Sequence, residues 1–150
     1  MTDSALFTDR MLSLGLARVS EAAAIASARL VGSGDEKAAL KELFPKAKIV
    51  QHYGLTEASR TTLLDVSATT GAALDSVGKT TGAVEIGIAE DGAIRIRGPH
   101  VALGLVTGAG VKPVTGEDGL LTTADRGRIE KNRLYYEGRT DELINSGGLK

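Results

Sequence analysis

The strongest constraint on the fold is an apolar alternation of period two between residues 84 and 97. Valine or isoleucine stands at alternate positions on both sides of a short gap: Val84, Ile86, Ile88, Ile94 and Ile96. The gap contains Asp91-Gly92, a hairpin turn signal, because these residue types tolerate a positive φ. The pattern therefore predicts an antiparallel β-hairpin with one buried face.

A second hairpin is predicted farther along the chain. Residues 127–136 form two strand-like runs around Lys131-Asn132, which has the composition of a turn. The apolar residues 101–106 predict another strand, whereas the glycine-rich residues 108–119 predict a loop. Residues 66–137 are therefore predicted to form a small antiparallel β-barrel subdomain.

The first part of the chain has a different pattern, in which candidate helices alternate with candidate strands. The helices are predicted at 4–16, 20–26 and 36–44, and the strands at 29–31, 48–52 and 61–64. Ser20 is the predicted N-cap of the second helix, and Ser33 with Glu36 has the spacing of a capping box. Strand, helix and strand in this order predict a parallel βαβ unit. The predicted fold class is therefore α/β plus β, with residues 1–65 as the end of an α/β subdomain.

Composition excludes several classes of protein. The 150 residues carry 18 Lys+Arg and 19 Asp+Glu, so no excess of positive charge indicates nucleic-acid binding. Cysteine is absent, which excludes disulfides and thiolate chemistry. No apolar run reaches the roughly 20 residues of a membrane-spanning helix, and the N-terminus has no basic segment typical of a signal peptide. The predicted location is cytoplasmic.

Residues 51–57, Gln-His-Tyr-Gly-Leu-Thr-Glu, follow a predicted strand and combine groups suited to a nucleotide. Tyr53 offers an aromatic face, and Gly54 lets the backbone bend or come close to a ligand. Thr56 offers a hydrogen-bond donor, and Glu57 offers oxygen to a hard cation. Ligands of open α/β sheets bind beyond the carboxyl ends of strands. The alternative is an ordinary glycine turn after a strand, and these residues alone favour that alternative.

Two polar clusters lie near the end of the chain. Asp125 follows Thr123-Ala124, where it would either cap a turn or accept hydrogen bonds from a sugar diol. Arg139 and Asp141 precede the glycine pair at 147–148, which predicts that residues 138–150 form a charged hinge with a flexible loop. Taken singly, both clusters are more typical of surface turns than of sites.

Two glycine-containing segments resemble phosphate-binding loops. Residues 32–35 lead into a helix N-terminus, where an anion is stabilised, but such a turn also commonly begins a helix. The ordinary helix start is favoured there. Gly78-Lys79-Thr80 matches the end of a P-loop, but Ala73 stands where that motif requires its first glycine. We therefore reject a P-loop.

Together, four segments resemble, in order and spacing, the adenylate-forming superfamily of acyl-CoA synthetases, peptide-synthetase adenylation domains and luciferases. They are residues 52–57 (Tyr-Gly-x-Thr-Glu motif), 76–78 with 92–99 (β-barrel segment), 123–128 (Thr-Gly-Asp motif) and 138–148 (hinge motif). The resemblance runs from about Arg29 to Lys150 and is greatest to acyl-CoA synthetases. It implies a luciferase-like fold, in which the α/β subdomain is followed by the small β-barrel.

The resemblance implies an ATP-dependent, Mg²⁺-assisted reaction. A carboxylic acid would be joined to AMP with release of pyrophosphate, and the acyl group would then pass to coenzyme A. Tyr53 would lie against adenine in the nucleotide-binding motif that includes Gly54. Thr56 would hydrogen-bond the α-phosphate, and Glu57 would hold Mg²⁺.

The same resemblance implies roles for three later residues. Asp125 would accept hydrogen bonds from both ribose hydroxyls, and Arg139 would lie near the ribose and phosphate. Asp141 would be the hinge about which a C-terminal domain turns. Thr56, Glu57 and Arg139 are thus the candidate catalytic residues.

Some family features are replaced or missing. Ala124 replaces a glycine, Ala93 replaces a glutamate, and Leu105-Val106 replaces an aromatic pair. Neither the Ser/Thr/Gly-rich phosphate loop nor the C-terminal domain with the adenylation lysine has a match. We therefore expect an internal part of a larger synthetase, inactive in adenylation without its other parts. Two alternatives stay open: a non-catalytic nucleotide-binding or interaction module, and a structural domain whose motifs coincide by chance.

Overall fold

A computed structural model of the chain describes residues 32–140. The helices predicted at 4–16 and 20–26, the strand predicted at 29–31 and the hinge residue Asp141 lie outside the described residues. The parallel βαβ unit and the division of the chain near residue 65 therefore stay predictions.

The described chain is mainly antiparallel β-structure with one α-helix. Its elements are α1 (Gly34–Leu43), β1 (Val50–Tyr53), β2 (Thr62–Asp65), a 3₁₀ helix (Gly71–Asp75), β3 (Lys79–Thr80), β4 (Glu85–Ile88), β5 (Ala93–Arg97), β6 (Gly104–Thr107), β7 (Gly110–Pro113), β8 (Leu121–Glu130) and β9 (Arg133–Arg139). They form three sheets, with strand orders β1-β2-β3, β4-β5-β8-β9 and β6-β7. Among the described residues no helix is long and apolar enough to cross a membrane.

Both predicted hairpins are confirmed. β4 pairs with β5, and β8 pairs with β9 across a turn in which Lys131 and Asn132 have φ values of 47° and 59°. The loop predicted at 108–119 is wrong in part, because Gly110–Pro113 form β7 and pair with β6. The P-loop is correctly rejected, since Lys79–Thr80 form β3 and pair with β2 instead of opening a helix.

Two apolar clusters make up the core. The first joins α1 and the 3₁₀ helix to β1 and β2: Leu40, Ile49, Leu64, Val66 and Leu74. The second lies under β5, β8 and β9: Tyr53, Ala58, Val77, Ile94, Ile96, Leu121 and Leu134. Tyr53, the last residue of β1, belongs to the second cluster. Residues 54–57 follow Tyr53 directly, so this segment begins next to the apolar cluster that packs against β5, β8 and β9.

The helix α1 begins with the predicted capping box. The Ser33 hydroxyl accepts from the Glu36 N–H at 3.3 Å, and the Glu36 carboxylate accepts from the Ser33 N–H at 2.9 Å. Lys37, only 3% exposed, donates from Nζ to the carbonyl oxygens of Leu74 and Ser76 at 2.6 and 2.9 Å. The helix is thus attached at the C-terminal end of the 3₁₀ helix by a buried lysine.

Burial lowers the pKa of Lys37 from its ordinary 10.5 to about 8, despite the opposing charges of Asp75 and Glu36. Between these values the unfolded chain holds a proton that the folded chain has released, so raising the pH favours the folded state. We expect the free energy of unfolding to rise by roughly 2 kcal/mol between about pH 7.5 and 9.5. Urea denaturation at each pH measures it.

The matched control for this prediction is an exposed lysine. Lys79→Met removes the same charge from the exposed side chain on β3 and should leave the rise with pH in place. Lys37→Met should abolish the rise. An equal pH dependence in Lys37→Met and the wild type would mean that Lys37 is not the group responsible.

Candidate functional site

A cleft of about 500 Å³ opens between the segment after β1, the β6–β7 hairpin, and the strands β8 and β9. It is lined by Leu55, Thr56, Glu57, Leu105, Lys112, Pro113, Val114, Leu121, Thr122, Thr123, Ala124, Asp125 and Arg139. The structure therefore brings together four predicted site residues that come from three separate motifs: Thr56, Glu57, Asp125 and Arg139. We regard this cleft as the candidate active site.

Thr56 and Glu57 lie in a tight turn after β1. The Leu55 N–H donates to the Ala58 carbonyl at 3.0 Å, and the Ala58 N–H donates back to Leu55 at 3.2 Å. A Cβ on Gly54 would come within 2.5 Å of the Arg60 nitrogen and 2.7 Å of the Ala58 oxygen. Gly54 is thus needed for the close approach of the turn to the backbone that follows it.

The segment that precedes β6 holds the outer side of this turn. The Ala102 N–H donates to the Glu57 carbonyl at 2.7 Å, and Ala58 forms a β-bridge with Val101. Ala58 is completely buried, so the bridge is protected from water. Glu57 therefore owes its position to a contact between two parts of the chain that are far apart in sequence.

Asp125 lies within β8, not in a turn before the second hairpin. The prediction that Asp125 caps a turn is corrected, because β8 begins at Leu121 and Asp125 is inside this strand. The side chain is nearly buried, with the residue 4% exposed, and it accepts a hydrogen bond from the Tyr53 hydroxyl at 2.8 Å. Arg139 Nη1 lies 3.8 Å from its other oxygen. A carboxylate has about four acceptor positions, so Asp125 retains capacity for a ligand.

The partnership with Asp125 makes Tyr53 a poor acid. Burial raises the pKa of Tyr53 far above its ordinary value of 10.0, and the negative charge of Asp125 raises it further. The phenol therefore stays protonated and keeps donating to Asp125 throughout the neutral and mildly basic range. It acts as a fixed support beneath the carboxylate.

The pairing of Asp125 with Arg139 depends on an irregularity in the β8–β9 ladder. Near the turn, Gly127 is opposite Tyr136, but after a register shift Arg126 is opposite Gly138 and Asp125 is opposite Arg139. The extra residue is thus on β9, beside Gly138, whose φ is 125°. Without this bulge Arg139 would lose its place opposite Asp125, since side chains alternate between the two faces of a sheet.

Tyr53 and Gly54 do not line the cleft. Tyr53 lies beneath it, 4% exposed, with its ring centroid 6.2 Å from that of Tyr136. Its predicted position against adenine stays a prediction. Asp141 is outside the described residues, so its hinge role also stays a prediction.

The sequence did not assign Leu105 or Lys112 to the cleft that they line. Both belong to the β6–β7 hairpin: Leu105 lies in the strand predicted at 101–106, whereas Lys112 lies on β7, where a loop was expected. The signal was present: the glycine-containing residues 107–110, Thr-Gly-Ala-Gly, separate two short segments that contain valine, 105–106 and 111–114.

The donor set of the cleft fits one kind of metal site. Within residues 32–140 no group of three or more His, Asp or Glu side chains could hold a metal ion by itself. Mg²⁺ commonly binds through one or two carboxylates together with substrate phosphates. Glu57 contributes one carboxylate to the cleft, so the residues present fit a Mg²⁺ ion that a substrate would help to hold and not an all-protein site.

No protein-family model matches the chain. The chain is 30% identical over 122 residues to a 2-succinylbenzoate–CoA ligase from Listeria monocytogenes serotype 4b (strain F2365). This match covers 79% of the chain and 26% of the ligase. The chain thus spans about a quarter of the length of this curated relative.

Solved structures show the same fold. E. coli MenE with a bound m-phenylether-linked analogue of OSB-AMS is similar with a TM-score of 0.69 at 23% identity, over 88% of the chain and 28% of MenE. The O-succinylbenzoate coenzyme A synthetase (MenE) from Bacillus subtilis, in complex with AMP, gives 0.60 at 25% identity, over 73% of the chain and 31% of that enzyme.

The fold and the relatives agree on the class of protein that the chain resembles: in fold and in sequence it is similar to part of the adenylate-forming superfamily. Within that superfamily its similarity is to coenzyme A ligases, and it corresponds to only part of their length. The resemblance to acyl-CoA synthetases and the luciferase-like fold are thereby confirmed.

Proposed function

We propose that this chain forms the nucleotide-binding cleft of an ATP-dependent acid–coenzyme A ligase. The observation that supports this most directly is the meeting of Thr56, Glu57, Asp125 and Arg139 in one cleft. The curated relative is named as a CoA ligase, and one solved relative contains AMP. The proposed reaction joins a carboxylic acid to AMP with release of pyrophosphate and then transfers the acyl group to the coenzyme A thiol.

Each cleft residue has a task suited to its chemistry. Asp125, fixed by the Tyr53 hydroxyl, accepts hydrogen bonds from the ribose diol. Thr56 donates to the α-phosphate. Arg139 lies opposite Asp125 in the β8–β9 ladder, where its guanidinium offsets negative charge at the ribose and phosphate. The carboxylate is a poor acyl donor, so these contacts serve to hold the nucleotide that activates it.

Mg²⁺ is proposed at Glu57, where it would neutralise phosphate charge. Glu57 is suited to this task because its carbonyl is held by Ala102 while its side chain lines the cleft. Coenzyme A as acceptor, a cytoplasmic location and a hinge at Asp141 are proposed on the resemblance.

Nucleotide binding tests this proposal without requiring turnover. We expect the 150-residue chain to bind AMP without metal and ATP more tightly with Mg²⁺ than without it. Glu57→Gln should weaken Mg²⁺-ATP binding roughly tenfold, since one charged metal ligand is lost, and leave metal-free AMP binding unchanged. Isothermal titration calorimetry with each nucleotide measures both effects.

Glu90→Gln is the matched control, because Glu90 is an exposed carboxylate outside the cleft. It should bind both nucleotides like the wild type. Absence of AMP and ATP binding would contradict a nucleotide cleft in this chain. Carboxylate-dependent exchange of pyrophosphate into ATP would contradict the expectation that the chain is inactive by itself. Nucleotide binding without pyrophosphate exchange is expected both for a segment of a ligase and for a non-catalytic nucleotide-binding module. An activity assay of a longer chain that includes this segment distinguishes the two.

A further inference from the structure

The β6–β7 hairpin supplies the wall of the cleft that the sequence did not predict. Leu105 and Lys112 are directly opposite each other across its two strands, and both line the cleft. Directly opposed residues of an antiparallel pair share a face. The register of this hairpin therefore places its lysine on the cleft side.

The two faces of the hairpin differ from those of ordinary surface structure, because the lysine is on the cleft side and two valines are on the opposite side. The next pair, Val106 and Val111, is on the other face and is 87% and 68% exposed. A hairpin selected only for packing would turn its valines toward the protein, whereas here Lys112, still exposed, shares the cleft face with Leu105. Departures from such local rules are expected where a site requires them.

The charges of the cleft leave Lys112 available. The other cation of the cleft, Arg139, already lies 3.8 Å from the Asp125 carboxylate. The Lys112 ammonium has no hydrogen-bond or ion-pair partner within residues 32–140. Because the carboxylates of Glu57 and Asp125 line the same cleft, an entering anion needs an unpaired positive charge to offset their repulsion.

We propose that Lys112 binds a phosphoryl oxygen of the nucleotide that occupies this cleft. The inference rests on the proposed function and adds to it a phosphate-binding residue. The ammonium group of a lysine suits a phosphate as a mobile point charge. Leu105, its cross-strand partner, offers apolar surface for the lysine stem.

Comparison of AMP with adenosine tests this assignment, because the two ligands differ only in the phosphate. We expect Lys112→Gln in the 150-residue chain to weaken AMP binding by roughly three- to tenfold, a moderate value because the lysine is solvent-exposed. Adenosine binding should not change. Lys112→Arg should retain most of the AMP affinity, since it keeps the positive charge. Calorimetric titration of each ligand gives the two dissociation constants.

Lys79→Gln is the control for a general loss of positive charge, since Lys79 is exposed on β3 and outside the cleft. It should bind AMP like the wild type. Equal AMP affinity in Lys112→Gln and the wild type would overturn the inference and leave the proposed function standing. So would an equal loss of AMP and adenosine, which would indicate a change of cleft shape. A wild-type chain that binds neither ligand would overturn both.

Discussion

Gly78→Ala is expected to destabilise the folded chain by at least about 4 kcal/mol, far beyond the usual effect of one methyl group. A Cβ at this position would lie 2.0 Å from the Leu63 carbonyl oxygen and 2.6 Å from the Leu64 nitrogen. Both are backbone atoms, which cannot rotate away as a side chain can. The φ of 100° at Gly78 adds strain for any L-residue.

The substitution should destabilise the whole described fold, because Gly78 contacts strands of two different sheets. Its carbonyl accepts from the Leu134 N–H at 2.9 Å, and the neighbouring Val77 N–H donates to the Leu134 carbonyl at 2.8 Å. Gly78 thus lies between β2 on one side and β9 on the other. Separation of these backbones would expose Leu134, which is completely buried in the core.

Gly82→Ala is the matched control, because Gly82 also has a positive φ, 59°, but a Cβ at this position would meet no other part of the chain within 4 Å. Gly82→Ala should lower the free energy of unfolding by only about 1 kcal/mol, because the positive φ is then the only source of strain. Urea denaturation followed by far-UV circular dichroism suits a chain without tryptophan. Equal stabilities of the two variants would show that Gly78 is not in close contact with β2.

Asp125→Ala is expected to have the largest effect on ligand recognition. On the proposed function, the variant should lose most of its preference for adenosine over 2′-deoxyadenosine, because the acceptor for the ribose diol is gone. A discriminating hydrogen bond to a charged group is worth about 1.5–3 kcal/mol, or roughly ten- to 150-fold in affinity. Calorimetric titration of both nucleosides measures it, and unchanged discrimination would contradict the role of Asp125.

The same variant should also be less stable, and this expectation does not depend on any ligand. Asp125→Ala leaves the Tyr53 hydroxyl buried without its acceptor, which costs about 1–3 kcal/mol. Tyr53→Phe removes the other partner. In a double-mutant cycle the two losses should be less than additive, because each removes the same hydrogen bond. Additive losses would mean that this bond contributes nothing.

The hydrogen bond between Tyr53 and Asp125 should also make the stability of the folded chain depend on pH at high pH. The unfolded chain releases the phenol proton near its ordinary pKa, whereas the folded chain retains it because burial and Asp125 raise the pKa of Tyr53. The folded state therefore binds more protons above that value, and its stability falls as the pH rises. Tyr53→Phe should lack this decrease, which is opposite in direction to the effect of Lys37.

Local pattern determined the regular elements of this protein. The alternation at 84–97 predicted β4 and β5, and Lys131-Asn132 predicted the turn between β8 and β9. Ser33 and Glu36 predicted the start of α1. These predictions succeeded because period, capping and turn chemistry are properties of neighbouring residues. The β6–β7 hairpin was missed because glycine-rich composition outweighed its short strands.

Most residues that line the cleft belong to the family motifs, but only the tertiary structure brings these motifs close together. Thr56 and Glu57 lie at the cleft because Ala102 and Val101 hold their turn from outside. Arg139 faces Asp125 because one extra residue on β9 shifts the register of a ladder.

The sequence by itself determined which chemical groups this chain carries and most of the described strands and turns together with the start of α1. Tertiary structure alone decided that Tyr53 is a buried support for Asp125, that Gly78 separates two backbones, and that Lys112 lines the cleft. The physical reason is that side-chain type and local period act over a few residues. Register, burial and close backbone approach depend instead on which distant strands pair.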